Sequence, residues 1–264
     1  MQLFSAWLSQ WAILHGDCTP LRAPHRSWLA QPAVGDATLL TGTGVCSRRV
    51  LDAVCEIHAL AYWKRLEVEA ESLSAKELGQ RVLEIEQKLL AERDPEDSTC
   101  GRVLAHCNLS QTREVDSDKS SRRCGYHADM ASKTTALFTQ AALIYMYTVQ
   151  SGTRPRVGEI KASVTRAMAL LKVCAEAQLL EYVSWPLCIV GCMLGCDTDE
   201  DRGARSWLSG VLESLARHSF NTGKQLDMWS LIRRSWCVLD GSSASESDLL
   251  ELIKELGFEV AQII

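Results

Sequence analysis

The sequence predicts an all-α protein, a single domain of stacked antiparallel helices. Three observations carry that expectation. Apolar residues recur at the spacing of about 3.6 that marks one face of a helix, from near the N-terminus to the last quarter of the chain. Alternating apolar and polar runs, the mark of a half-buried strand, are almost missing, and 258–264 is the one stretch that reads as extended. Gly, Ser and Pro fall between the periodic segments, as they do at the short turns of helix bundles.

The elements follow in order. Leu3, Trp7, Trp11 and Leu14 share a helical face, and the segment lacks the basic start of a signal peptide, so it reads as an amphipathic helix. Thr41-Gly42-Thr43-Gly44 then leads into a helix whose stripe is Val50, Leu51, Val54, His58, Ala61 and Tyr62. The next helix carries Leu78, Val82, Ile85 and Leu89, and opens on a capping box of Ser74 and Glu77. Between Asp94 and His127 the pattern gives way to Asp, Ser, Arg and Gly, which predicts a flexible linker. Helicity resumes at Ala131 with Leu137, Ala141, Ile144 and Tyr145 on one face, and closes at Ser151-Gly152. Ile160, Val164, Met168 and Leu171 make a further stripe.

Trp185-Pro186-Leu187-Cys188-Ile189-Val190-Gly191-Cys192 is apolar all round, as a central buried helix must be. Ser184 is its expected cap, because proline is tolerated in a first turn whose N–H groups have no partner. Helices near 202–215, 224–238 and 246–256 complete the set.

Composition narrows the function. A net charge of −5 argues against unaided binding to a polyanion, since DNA affinity rests largely on neutralised phosphates. No apolar run reaches the roughly 20 residues that span a bilayer, so no membrane contact is expected. Eleven cysteines at irregular spacing fit reduced thiols and an intracellular chain better than a disulfide framework.

Each chemistry-bearing pattern has a plainer reading beside it. Cys188, Cys192 and Cys196 recur at i, i+4 and i+8, where thiolates on one helix face would suit a soft metal, with Cys174 or Cys237 as a fourth ligand. Their neighbours are Leu, Ile, Val and Met, so core packing is the expectation. Cys100, His106, Cys107, Cys124 and His127 form a looser cluster, but the spacing matches no known finger. Thr41 to Gly44 could cradle a phosphate, yet it has no preceding strand and no P-loop lysine. Asn108-Leu109-Ser110 is a glycosylation sequon only in a secreted chain. His58, on an apolar stripe, reads as a hydrogen-bonded core residue. Trp63, Trp185, Trp207, Trp229 and Trp236 read as core or groove lining. We therefore expect no metal, no cofactor and no nucleophile–base motif.

The sharpest enzyme-like motif is Asp197-Thr198-Asp199-Glu200-Asp201. Clustered carboxylates can hold Mg²⁺ against a diphosphate, and Asp197, Asp199 and Asp201 would be the ligands. No second acidic set is visible, and acids at a helix start satisfy its dipole and free N–H groups, which is the reading we adopt.

The block from Trp185 to Arg202, with Trp229 following, resembles the C-terminal part of the fungal-specific regulatory domain of zinc-cluster transcription factors. Thr41 to Leu60, Ser74 to Leu90, Phe138 to Gly152 and the Gly-Phe-Glu turn of the tail are similar to other parts of that domain. A tryptophan often seen in the family's tail is replaced around Asp248-Leu249. The resemblance runs from about Asp36; residues 1–35 form an N-terminal helix and loop that it does not reach. It implies nuclear control of fungal metabolic genes, often for secondary metabolism, without catalysis. The family's zinc cluster needs Cys-x-x-Cys pairs, and none occurs in this chain. The expectation is a regulator-like domain without its own DNA-binding module, working through protein partners or a small apolar ligand. The alternative is an enzyme of secondary metabolism, a cyclase or isomerase, that uses an apolar pocket of the same scaffold.

Overall fold

The computed structural model describes residues 46–91, 117–180, 183–218 and 222–241, and they fold as seven helices with no strand among them. Helix α1 spans Arg48–Glu69 and α2 spans Ala75–Ala91. They form an antiparallel hairpin, pinned at one end by Arg81 over the Trp63 ring and at the other by Lys88 bound to Glu56. The turn between them places Glu71 at φ 53, a left-handed conformation that a non-glycine residue adopts at some cost.

Helix α3, Ser117–Ser151, is the axis of the fold and packs against α1, α2, α4 and α5. Helix α4 is Gly158–Glu176, α5 is Ser184–Cys192, α6 is Asp199–His218 and α7 is Thr222–Gly241. Helix α7 covers α5 and α6. Two segments are enclosed on every side: Leu137 to Met146 in α3, and Trp185 to Cys192 in α5. A helix of nine residues that is apolar from Trp185 to its end is stable only where neighbours remove that hydrocarbon from water, at about 25 cal/mol per Å².

The apolar stripes of α2 and α4 fall where the periodicity predicts them. Leu78, Val82, Ile85 and Leu89 are the buried residues of α2, and Ile160, Val164, Met168 and Leu171 are all buried in α4. Ser74 Oγ accepts the Glu77 N–H at 3.3 Å, so the predicted cap is in place. The Glu77 carboxylate turns instead to Arg81 at 2.7 Å, and the box is therefore one-sided. At the far end of α3, Gly152 takes φ 79 and its N–H bonds the Thr148 carbonyl, the glycine stop that Ser151-Gly152 suggests.

Four expectations need correction. In α1 the deepest residues are Val50, Ala53, Ile57 and Leu60, whereas Leu51, Val54 and His58 are half-buried. A helix packed against two neighbours buries a broad face, and its centre cannot be fixed from the larger side chains alone. Helix α3 begins at Ser117, ahead of the Ala131 start, because a polar stretch with no proline can be helical without showing an apolar stripe. The linker's remainder, 94–116, lies outside the described residues. Helix α6 begins at Asp199 rather than Arg202, so the acidic turn is part of its first turn. Ser184 is not the cap of α5: it is the first helical residue, and Val183 stands before it without a side-chain bond. Val183 is fully buried, so packing sets this helix start. The expected segments 1–14, 41–44, 246–256 and 258–264 also lie outside the described residues.

Candidate functional site

The stretch that dominates the sequence organises the structure too. Trp185 stacks on Phe138 of α3, ring centroids 5.8 Å apart and planes inclined at 21°, which ties α5 to the central helix. The other end of α5 leaves carbonyls that its own helix cannot satisfy. Trp236 of α7 donates its indole N–H to Gly191 O at 2.8 Å. Arg205 of α6 donates Nε and Nη2 to Leu194 O at 3.1 and 2.7 Å, and Arg202 reaches Cys196 O at 3.1 Å. Gly191 lets α7 and α6 approach: a Cβ there would stand 2.7 Å from Ile232 Cδ1 and 3.2 Å from Leu208 Cδ2.

Arg205 is the hub of this region. Besides Leu194 O, its guanidinium grips both oxygens of Asp240 at 2.6 and 2.9 Å and lies 4.8 Å from the centre of the Trp236 ring. Its side chain is only 13% exposed, so this pair is better shielded than an ordinary surface ion pair. The bonds from Arg205 hold the Asp240 carboxyl below the usual carboxylate range, with the Cys196 thiol adding to the effect. Sequence reading missed Arg205. It lies one turn after Arg202, and nothing local announces a partner 35 residues further on.

The three candidate metal ligands turn to three different cations. Asp197 takes a two-point bond from Arg156 at 2.8 and 3.0 Å. Asp199 is 98% exposed and pairs with Arg202. Asp201 faces Lys161 at 3.8 Å and is chiefly a cap: its carboxylate accepts the Thr198 N–H at 3.1 Å, while Thr198 Oγ1 accepts the Asp201 N–H at 3.1 Å. That reciprocal pair is a capping box at the head of α6. Burial alone would raise the Asp201 pKa, but the two Thr198 bonds, aided by Lys161 and Arg205, outweigh it and hold the carboxyl low. Asp197, Asp201, Arg156, Lys161 and Met193 border a cleft of about 100 Å³ whose opposite charges already face one another. A metal-dependent cyclase would need these carboxylates to converge on an ion, and here each is turned to a cation of its own. Among the described residues no group of three or more His, Cys, Asp or Glu side chains is placed to share a metal ion.

The cysteines divide. Cys188 and Cys192 are fully buried on α5, and the Cys192 neighbour together with burial pushes the Cys188 thiol well up. Burial likewise raises Cys174. Cys196 departs from the shared face expected of it, because α5 ends at Cys192 and the chain then turns toward α6. It is half-buried, and its bond to Asp240 raises its pKa. Thiols held protonated are poor ligands and poor nucleophiles. Cys237 is exposed on α7. Of the looser cluster, Cys100, His106 and Cys107 lie outside the described residues, and for Cys124 and His127 only the helical backbone is described.

His58 is half-buried and within 3.5 Å of the Tyr145 hydroxyl. Trp63, Trp185, Trp207, Trp229 and Trp236 all sit in helices; Trp229 meets Trp236 edge to face at 5.8 Å, and Lys172 of α4 lies over Trp207 of α6. Tyr147 of α3 bonds Glu86 of α2, and burial, reinforced by that carboxylate, drives its phenol far above the ordinary value. Among the described residues no helix is long and apolar enough to cross a membrane.

These side chains hold helices in register, and the class they define is an all-helical domain packed around α5. The comparisons give its family. The sequence model of the fungal specific transcription factor domain matches residues 1–261, so the chain belongs to that family and is a domain of fungal transcription regulators. The match starts at residue 1, ahead of the Asp36 start of the motif resemblance. The chain is similar to the trichothecene biosynthesis transcription regulator TRI10 of Trichoderma arundinaceum, 28% identical over 148 residues, which cover 56% of this chain and 28% of that protein. It is similar to the transcription factor ntnD of Nectria sp, 27% identical over 162 residues, 61% of this chain and 26% of the relative. The ustiloxin B cluster transcription factor ustR of Aspergillus flavus is 28% identical over 149 residues, 56% of this chain and 23% of the relative. The matched region thus spans about a quarter of these relatives' own length. No solved structure matches.

Proposed function

We propose that this chain is the helical regulatory part of a nuclear regulator that controls a fungal biosynthetic gene cluster, acting through protein or small-ligand contacts and reading no DNA sequence by itself. The observation that carries the reading is the family match over 1–261, joined to relatives named for trichothecene biosynthesis and for the ustiloxin B cluster. The net charge of −5 supports the absence of direct DNA reading, because a duplex would repel an acidic domain. The commitment of the α5–α6 region to interhelical bonds supports a role in contact rather than in catalysis.

The test has two arms. Fused to an unrelated DNA-binding module, the chain is expected to change the output of a reporter placed behind that module's site; unchanged output would refute the regulatory reading. Alone, the chain is expected to show no specific, salt-sensitive retention of duplex DNA in gel shifts. Tight retention on one sequence would overturn the second half of the proposal.

A further inference from the structure

We draw no further inference here: the strongest candidate, the exposed apolar residues Leu66, Val68, Leu83 and Leu90 on the α1–α2 hairpin, carries nothing, because nothing in the structure shows what covers that face.

Discussion

At the scale of single residues, Arg205 and Gly191 do what no shorter or bulkier side chain can. Arg205 bonds the Leu194 carbonyl, just past the end of α5, and a carboxylate on α7 with one planar group, a geometry that lysine's point charge cannot reproduce. Replacing Arg205 with Lys or with Ala is expected to lower unfolding stability by about 2 kcal/mol, the scale of a lost charged hydrogen bond, measured by urea denaturation. Full retention of stability in Arg205→Lys would show that charge alone suffices. Gly191→Ala introduces a Cβ 2.7 Å from Ile232 Cδ1 inside a packed core. Overpacking of about 1–3 kcal/mol exceeds the roughly 1 kcal/mol that Ala gains over Gly in a helix, so the melting temperature should fall. Gly79→Ala and Gly210→Ala meet nothing within 4 Å and should raise it, by about 0.5–1 kcal/mol of stability each. If all three substitutions moved the melting temperature the same way, close approach at Gly191 would not be what requires glycine.

The acidic limb of stability also belongs to single residues. Asp240 and Asp201 titrate below their ordinary values in the folded chain. A carboxyl with a depressed folded pKa adds stability above its unfolded value, near 3.9, and that contribution disappears as pH falls through the folded pKa. Melting temperature should therefore drop as pH is lowered from about 5 toward 3. Asp240→Asn should flatten part of that slope, and an unchanged slope would remove Asp240 from the account.

At the scale of elements, helix starts separate into those set by local chemistry and those set by packing. Ser74 caps α2 and Thr198 caps α6, each through a bond to the residue three positions on. Ser74→Ala is expected to cost about 1 kcal/mol, read as a lower urea midpoint with an unchanged slope. The start of α5 responds to different forces, since Val183 offers no side-chain cap and is itself buried, as is the helix from Trp185 on. Ser184→Ala should accordingly cost less than Ser74→Ala. The reverse order would restore Ser184 as a cap.

At the scale of the whole molecule, the helical class, the buried α5 and the α2 and α4 stripes are all legible in the sequence. The period of apolar residues reports directly which face leaves water, and an all-apolar run has no other place to go. The family, too, was legible from Trp185 to Arg202. What those residues do was not. Trp236 meets Gly191 across 45 positions, Arg205 meets Asp240 across 35, and Arg156 meets Asp197 across 41. Local patterns are blind to such pairs, because their energies depend on which helices become neighbours.

The acidic motif shows where that division lies. Sequence alone established that Asp197, Asp199 and Asp201 crowd the start of a helix, and helix electrostatics favours acids there. Only the packing of α4 against α5 and the turn after it decided that Arg156 and Lys161 would stand opposite Asp197 and Asp201. The same holds for the cysteines. Their spacing would put three on one face, but α5 ends at Cys192, and Cys196 is carried to Asp240 instead. Periodicity is a property of one segment and survives in the sequence, whereas partnership across helices exists only once the chain has closed on itself.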